Sequence, residues 1–167
     1  MKRGTVMVAG VMLAVLILAG LDLARGEVVR HPLPNSNLPI AQAVVVSGDV
    51  TTYYISGQVP PVVDKAAPAD SRLAYGDMTT QTVGVLTRIR DILTGLGLGM
   101  GDVVKMQVFL VTDHGNIMDF RGFMAGYTQF FGGSQLNLPA RSVLGVSALA
   151  NPGFLVEIEV IAVKDKK

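Results

Sequence analysis

Residues 154–163 alternate without a break: Phe154, Val156, Ile158, Val160 and Ala162 make one wholly apolar side, and Leu155, Glu157, Glu159, Ile161 and Val163 a mixed one. A two-residue period of this length marks a β-strand. A strand apolar on one side and half apolar on the other needs a sheet with helices on its first face and a further cover on its second. Val103–Val111 repeats the pattern, with Val104, Met106, Val108 and Leu110 opposite Val103, Lys105, Gln107, Phe109 and Val111.

Elsewhere the period changes. Thr82, Val85, Leu86, Ile89, Ile92, Leu93 and Leu96 recur at helical spacing. The glycines at 95, 97, 99 and 101 follow this helix instead of opening one, so they read as a helix stop and not as a phosphate-binding loop. A second helix is expected over 117–131, its Met- and Phe-rich stripe read as core. Residues 43–47 and 52–58 flank Gly48-Asp49 and predict a hairpin, as do 140–149 and 154–163 around Asn151-Pro152-Gly153. Residues 62–75 read as a surface loop. The expected order is ββαβαββ, an α+β fold with a mixed sheet and two helices packed on one face. The half-apolar second face predicts a homo-oligomer.

Half of the 167 residues are hydrophobic, and the excess lies at the N-terminus. Lys2 and Arg3 precede an apolar or small run from Thr5 to Leu21, and Ala24-Arg25-Gly26 puts small residues at both cleavage-determining positions. Residues 1–26 therefore read as a signal peptide of an exported, periplasmic protein; the alternative is an uncleaved membrane anchor. Residues 27–38, with three prolines in 27–39, read as an irregular arm, and 39–167 as the single domain. Cleavage after Gly26 removes Lys2, Arg3, Arg25 and Asp22, taking 14 basic and 13 acidic residues to 11 and 12, a net charge of −1. That balance offers no footprint for nucleic acid, and no membrane contact is expected after cleavage. With no cysteine, thiolate catalysis, disulfides and Cys-based metal sites are excluded. His31 and His114 fall in the arm and in a turn, no His/Asp/Glu spacing supports a metal, and Ser47 and Ser142 lack a nucleophile-elbow context. No cofactor is expected.

The residues with chemistry to offer are Arg141, in Pro139-Ala140-Arg141-Ser142, and Glu157, sixteen positions later. An arginine at a strand start can grip a carboxylate through two parallel hydrogen bonds, and a glutamate in the same cavity can position water. Taken alone, both are equally readable as solvated charges on strand edges. In a simple hairpin the two would be offset by about five residues, on the order of 16 Å, so no direct pair is expected within one chain.

Ile55-Ser56-Gly57-Gln58-Val59-Pro60, Gln81-Thr82, Asp102-Val103-Val104-Lys105, Val108-Phe109-Leu110, Phe130-Phe131, Pro139-Ala140-Arg141-Ser142 and residues 156–162 occur in an order that resembles the reactive-intermediate deaminase (Rid, or YjgF) family over roughly 39–164. The resemblance implies a chorismate-mutase-like fold, a homotrimer with clefts between subunits, and hydrolysis of 2-imino acids to 2-oxo acids and ammonia. It further implies that Arg141 binds the substrate carboxylate, that Glu157 positions water, and that Ser56 and Gly57 line the cleft near the imine nitrogen. Three positions depart from the best-known pattern toward lower polarity: Ala43 where a tyrosine is usual, Met124 for an asparagine, and Val143, two past the arginine, for a cysteine. Imine hydrolysis needs only orientation and a presented water. A non-catalytic binder of small carboxylates is the alternative, and the endoribonuclease role sometimes attached to the family fits the charge poorly.

Overall fold

The computed structural model describes residues 25–112, 115 and 117–166. All but Arg25 and Gly26 of the expected signal peptide lies outside the described residues, as does His114. The described elements run β1 (Glu27–Pro32), β2 (Ala41–Ser47), β3 (Val50–Gln58), α1 (Met78–Gly95), β4 (Val103–Val111), α2 (Phe120–Tyr127), β5 (Ala140–Val146) and β6 (Val156–Asp165).

The strands form one sheet in the order β1-β2-β5-β4-β6-β3. β4 runs parallel to β5 and antiparallel to β6, and β3 lies antiparallel on the far side of β6. Both β3–α1–β4 and β4–α2–β5 are thus crossovers between parallel strands, the first with β6 inserted, and both helices land on one face. Under them Met106, Val108 and Leu110 of β4 and Val156, Ile158 and Val160 of β6 pack against Val85, Leu86, Ile89 and Leu93 of α1 and Phe123 and Tyr127 of α2. The alternation read in the sequence is this face, and burial of such side chains supplies about 1.5–3 kcal/mol each.

Local chemistry sets the helix positions. The Asp77 side chain accepts the Thr80 N–H at 2.8 Å and starts α1, and that bond, with a smaller opposing effect of burial, holds its carboxyl below the usual range. Gly97, at φ 76°, turns the chain out after α1. The helices approach closely at Gly126, where a Cβ would lie 2.7 Å from that of Thr82, and Thr79 Oγ1 donates to the Gly122 carbonyl at 3.0 Å.

Four expectations are corrected. Residues 27–32 of the expected arm are strand β1, paired antiparallel with β2, and exposed His31 sits in it opposite Ala43. Val28 and Val29 face the valines of β2, and Arg30 Nη2 donates to the carbonyls of Gly101 (2.8 Å) and Val103 (3.3 Å), tying β1 to the start of β4. The prolines fall at the strand's end and beyond it, where no ladder N–H is required. Second, β2 and β3 are not a hairpin: β2 pairs with β1 and touches β5 at Ala41↔Ala140, whereas β3 pairs with β6. Gly48, at φ 77°, hands the chain from one partner to another. Third, β5 and β6 are separated by β4, and the Asn151-Pro152-Gly153 segment crosses over it, held by Asn151 Nδ2 to the Ala69 carbonyl at 2.9 Å. Turn residues dictate that a chain bends, not which strand it joins next. Fourth, α2 spans only Phe120–Tyr127, because Asp119 caps it at Gly122 and a tighter turn follows Tyr127.

Gln81 is the buried polar pin of this arrangement. Fully inside, its amide donates to the carbonyls of Gly76 (3.0 Å) and Gly153 (2.9 Å) and accepts the Leu155 N–H (2.7 Å), joining α1 to the crossing segment. Gln81→Leu should lower stability by about 2–4 kcal/mol, since buried backbone groups lose their partners. Urea unfolding would measure it, and an unchanged midpoint would show that the segment repairs itself.

Candidate functional site

Arg141 is the second residue of β5, opposite Met106 of β4. Met106 faces the helices, so Arg141 does too. Its guanidinium carbon lies 4.2 Å from the ring centre of Tyr127, 5.1 Å from Phe123 and 6.0 Å from Phe120. These rings stand at i, i+3 and i+7 on α2, one stripe of the helix laid along the arginine. Tyr127 is locked by its hydroxyl donating to the Pro39 carbonyl at 2.8 Å. Burial raises the phenol to about 12 against a smaller opposing pull from Arg141, and burial lowers the arginine, with Tyr127 opposing.

The buried Arg141 Nη1 has no hydrogen-bond partner among the described residues. A buried guanidinium nitrogen without an acceptor is costly, and a carboxylate is its natural complement. Val143, two residues on, shares this face opposite Val108 and packs against the core.

Glu157 is elsewhere. It sits opposite Phe109 on β4, three positions from Met106, and on the face without helices. From the register it stands roughly 10 Å along and 10 Å across the sheet from Arg141, pointing the other way. Beside it, the β3–β6 register slips between Ile55 and Gln58, a bulge formed by Ser56 and Gly57. A Cβ on Gly57 would lie 2.9 Å from the Glu157 Cδ and still closer to its Oε1, so any larger residue there would push the Glu157 carboxylate aside.

The five predicted site residues therefore divide. Arg141 and Val143 lie under α2, while Glu157 and Gly57 adjoin on the open face and Ser56 lines a cavity there of about 290 Å³ with Lys105, Gln107 and Glu159. Lys105 also donates to Ser142 Oγ at 3.3 Å. The aromatic stripe of α2 and the polar trio of Lys105, Gln107 and Glu159 were not singled out from the sequence as site residues. The alternation of β4 and β6 already set the trio on Glu157's side, and the i, i+3, i+7 spacing was present in α2.

The family model described as Endoribonuclease L-PSP matches residues 34–164. A RutC family protein of Pyrococcus abyssi is 31% identical over 143 residues, 86% of this chain and 100% of its own length. The chain belongs to the Rid/YjgF family. TdcF of Escherichia coli K12, provisionally named a reactive intermediate deaminase, is 34% identical over 131 residues, 78% of this chain and 91% of TdcF. The solved structure of the Rid family protein YyfB of Yersinia pestis superposes with a TM-score of 0.59 at 28% identity, over 82% of this chain and 97% of YyfB. The mixed sheet with two helices on one face is consistent with the chorismate-mutase-like α+β fold of Rid proteins. β1 lies just before the residues matched by the family model.

If the Arg141 cation is held for a ligand and not for stability, Arg141→Met should unfold at the same or a higher urea midpoint, within about 1 kcal/mol, because a buried charge is exchanged for an apolar chain of similar length. A loss above about 2 kcal/mol would make the arginine structural.

Proposed function

We propose that this Rid protein hydrolyses reactive 2-imino acids to 2-oxo acids and ammonia. The observation that carries the reading is the buried Arg141 nitrogen without an acceptor, facing an aromatic wall. Arg141 grips the substrate carboxylate, and Glu157 holds or deprotonates the attacking water. The backbone at Ser56-Gly57 steadies the imine nitrogen. Water adds to the C=N carbon, and the resulting carbinolamine expels ammonia to leave the 2-oxo acid; no cofactor is called for.

Because Arg141 and Glu157 face opposite sides of one sheet, one substrate meets both only if they come from different copies. A homotrimer with sites between subunits supplies this, and it covers an open face that exposes Tyr54 and Leu144. The apolar setting of Arg141, with Val143 and Met124 packed on the core beside it, favours substrates less polar than the smallest imino acids. The same lack of polar groups supports the second reading, a non-catalytic carboxylate binder. The endoribonuclease of the family description finds little support in a mature charge of −1. Export to the periplasm fits β1, which begins at Glu27 and so survives cleavage after Gly26 intact.

With imines generated by an amino-acid oxidase and residual imine trapped by semicarbazide, the protein should accelerate imine loss, and Arg141→Ala should reduce the acceleration at least about 100-fold. Ligand binding without accelerated loss would select the binder. Glu157→Gln should also be impaired. Refolding Arg141→Ala and Glu157→Gln chains together at equal amounts should restore about a quarter of wild-type activity, since one site in four then unites both native residues across a cyclic interface. No restoration would mean that the sites are not shared between copies.

A further inference from the structure

A second cavity, of about 800 Å³, opens where α1 and α2 begin, at the opposite end of α2 from the Tyr127 ring that lies closest to Arg141. Its size suits a drug-sized or lipid-like molecule and exceeds what a small imino acid fills. Leu73, Met78, Phe120 and Leu155 contribute apolar wall, and Leu73 is 73% exposed there, a large apolar side chain left uncovered. Arg72 and Arg121 also line the cavity. Among the described residues neither makes a side-chain hydrogen bond or an ion pair, unlike Arg90, which pairs with Asp91.

Two carboxylates, Asp77 and Asp119, share the wall, but each is engaged. Asp77 accepts the Thr80 N–H and Asp119 the Gly122 N–H, both at 2.8 Å, so their negative charge faces the positive helix ends they cap. The uncommitted charge of the cavity is that of the two arginines. Phe120 stands between this space and the Arg141 cage, with its ring 6.0 Å from the guanidinium carbon, and Arg141 is not part of the wall.

We infer that this cavity is a second binding site, separate from the Arg141 site, for a molecule with a hydrocarbon body ending in a carboxylate. The body lies on the apolar wall, and Arg72 and Arg121 hold the head group. Nothing in this reading depends on imine hydrolysis.

Calorimetric titration of the mature protein with dodecanoate, below its micelle concentration, and with dodecan-1-ol as the neutral counterpart tests it. Dodecanoate should bind at least about tenfold tighter than the alcohol, by the arithmetic of one charge-assisted pair. The Arg72→Gln/Arg121→Gln double variant should lose that tenfold preference while keeping its thermal midpoint and its imine turnover. Arg141→Met should bind dodecanoate like the parent. Equal binding of acid and alcohol, an unchanged preference in the double variant, loss of binding in Arg141→Met, or no binding at all would each overturn the site. Because turnover is measured separately, failure here leaves the deaminase reading standing, and the reverse also holds.

Discussion

Three residues of β4, Met106, Val108 and Leu110, are wholly buried beneath two helices, and almost everything else about this molecule follows from that burial. β4 is central, parallel to one neighbour and antiparallel to the other, so its alternation is imposed on both. A one-residue slip of either neighbour would exchange its core side chains for its charged ones. Arg141 is under α2 because it pairs with Met106, and Glu157 is in the open because it pairs with Phe109. The division of the candidate site is thus a by-product of core packing.

What could be read from the chain follows the same physics. The alternation of Val103–Val111 and the helical stripe from Thr82 to Leu93 survive intact, since each reports a periodicity that only one kind of element satisfies. The predicted hairpins failed at Gly48-Asp49 and at Asn151-Pro152-Gly153, because local turn chemistry carries no information about a strand inserted from elsewhere. β1 escaped notice because its prolines cluster near it; Val28 and Val29 become strand residues only when β2 offers them a partner. Arg141 and Glu157 were both singled out from the sequence, and their failure to meet within one chain was anticipated, though from a hairpin that does not exist. Their true separation comes from face as well as distance, which is visible only once β4 is known to lie between them.

The Met- and Phe-rich stripe expected over 117–131 was read as core, and Phe123, Tyr127 and Phe131 are fully buried, whereas Phe120 is exposed. Two of these rings, Phe123 and Tyr127, together with Phe120, also form the wall against which the Arg141 guanidinium rests. Helix packing and cation placement are met by one set of side chains, so evolutionary exchange of Tyr127 would disturb both at once.

β1 limits where the chain could be cut without loss of structure. Its pairing begins at Glu27↔Ser47, and Arg30, only three residues further on, holds the carbonyls at the head of β4. The margin between an intact strand and a frayed end is therefore a few peptide bonds. A cut after Gly26 would leave the β1 ladder whole, whereas one just past Val29 would remove the pairs of Glu27, Val28 and Val29 with Ser47, Val46 and Val45 and put Arg30 at the chain end.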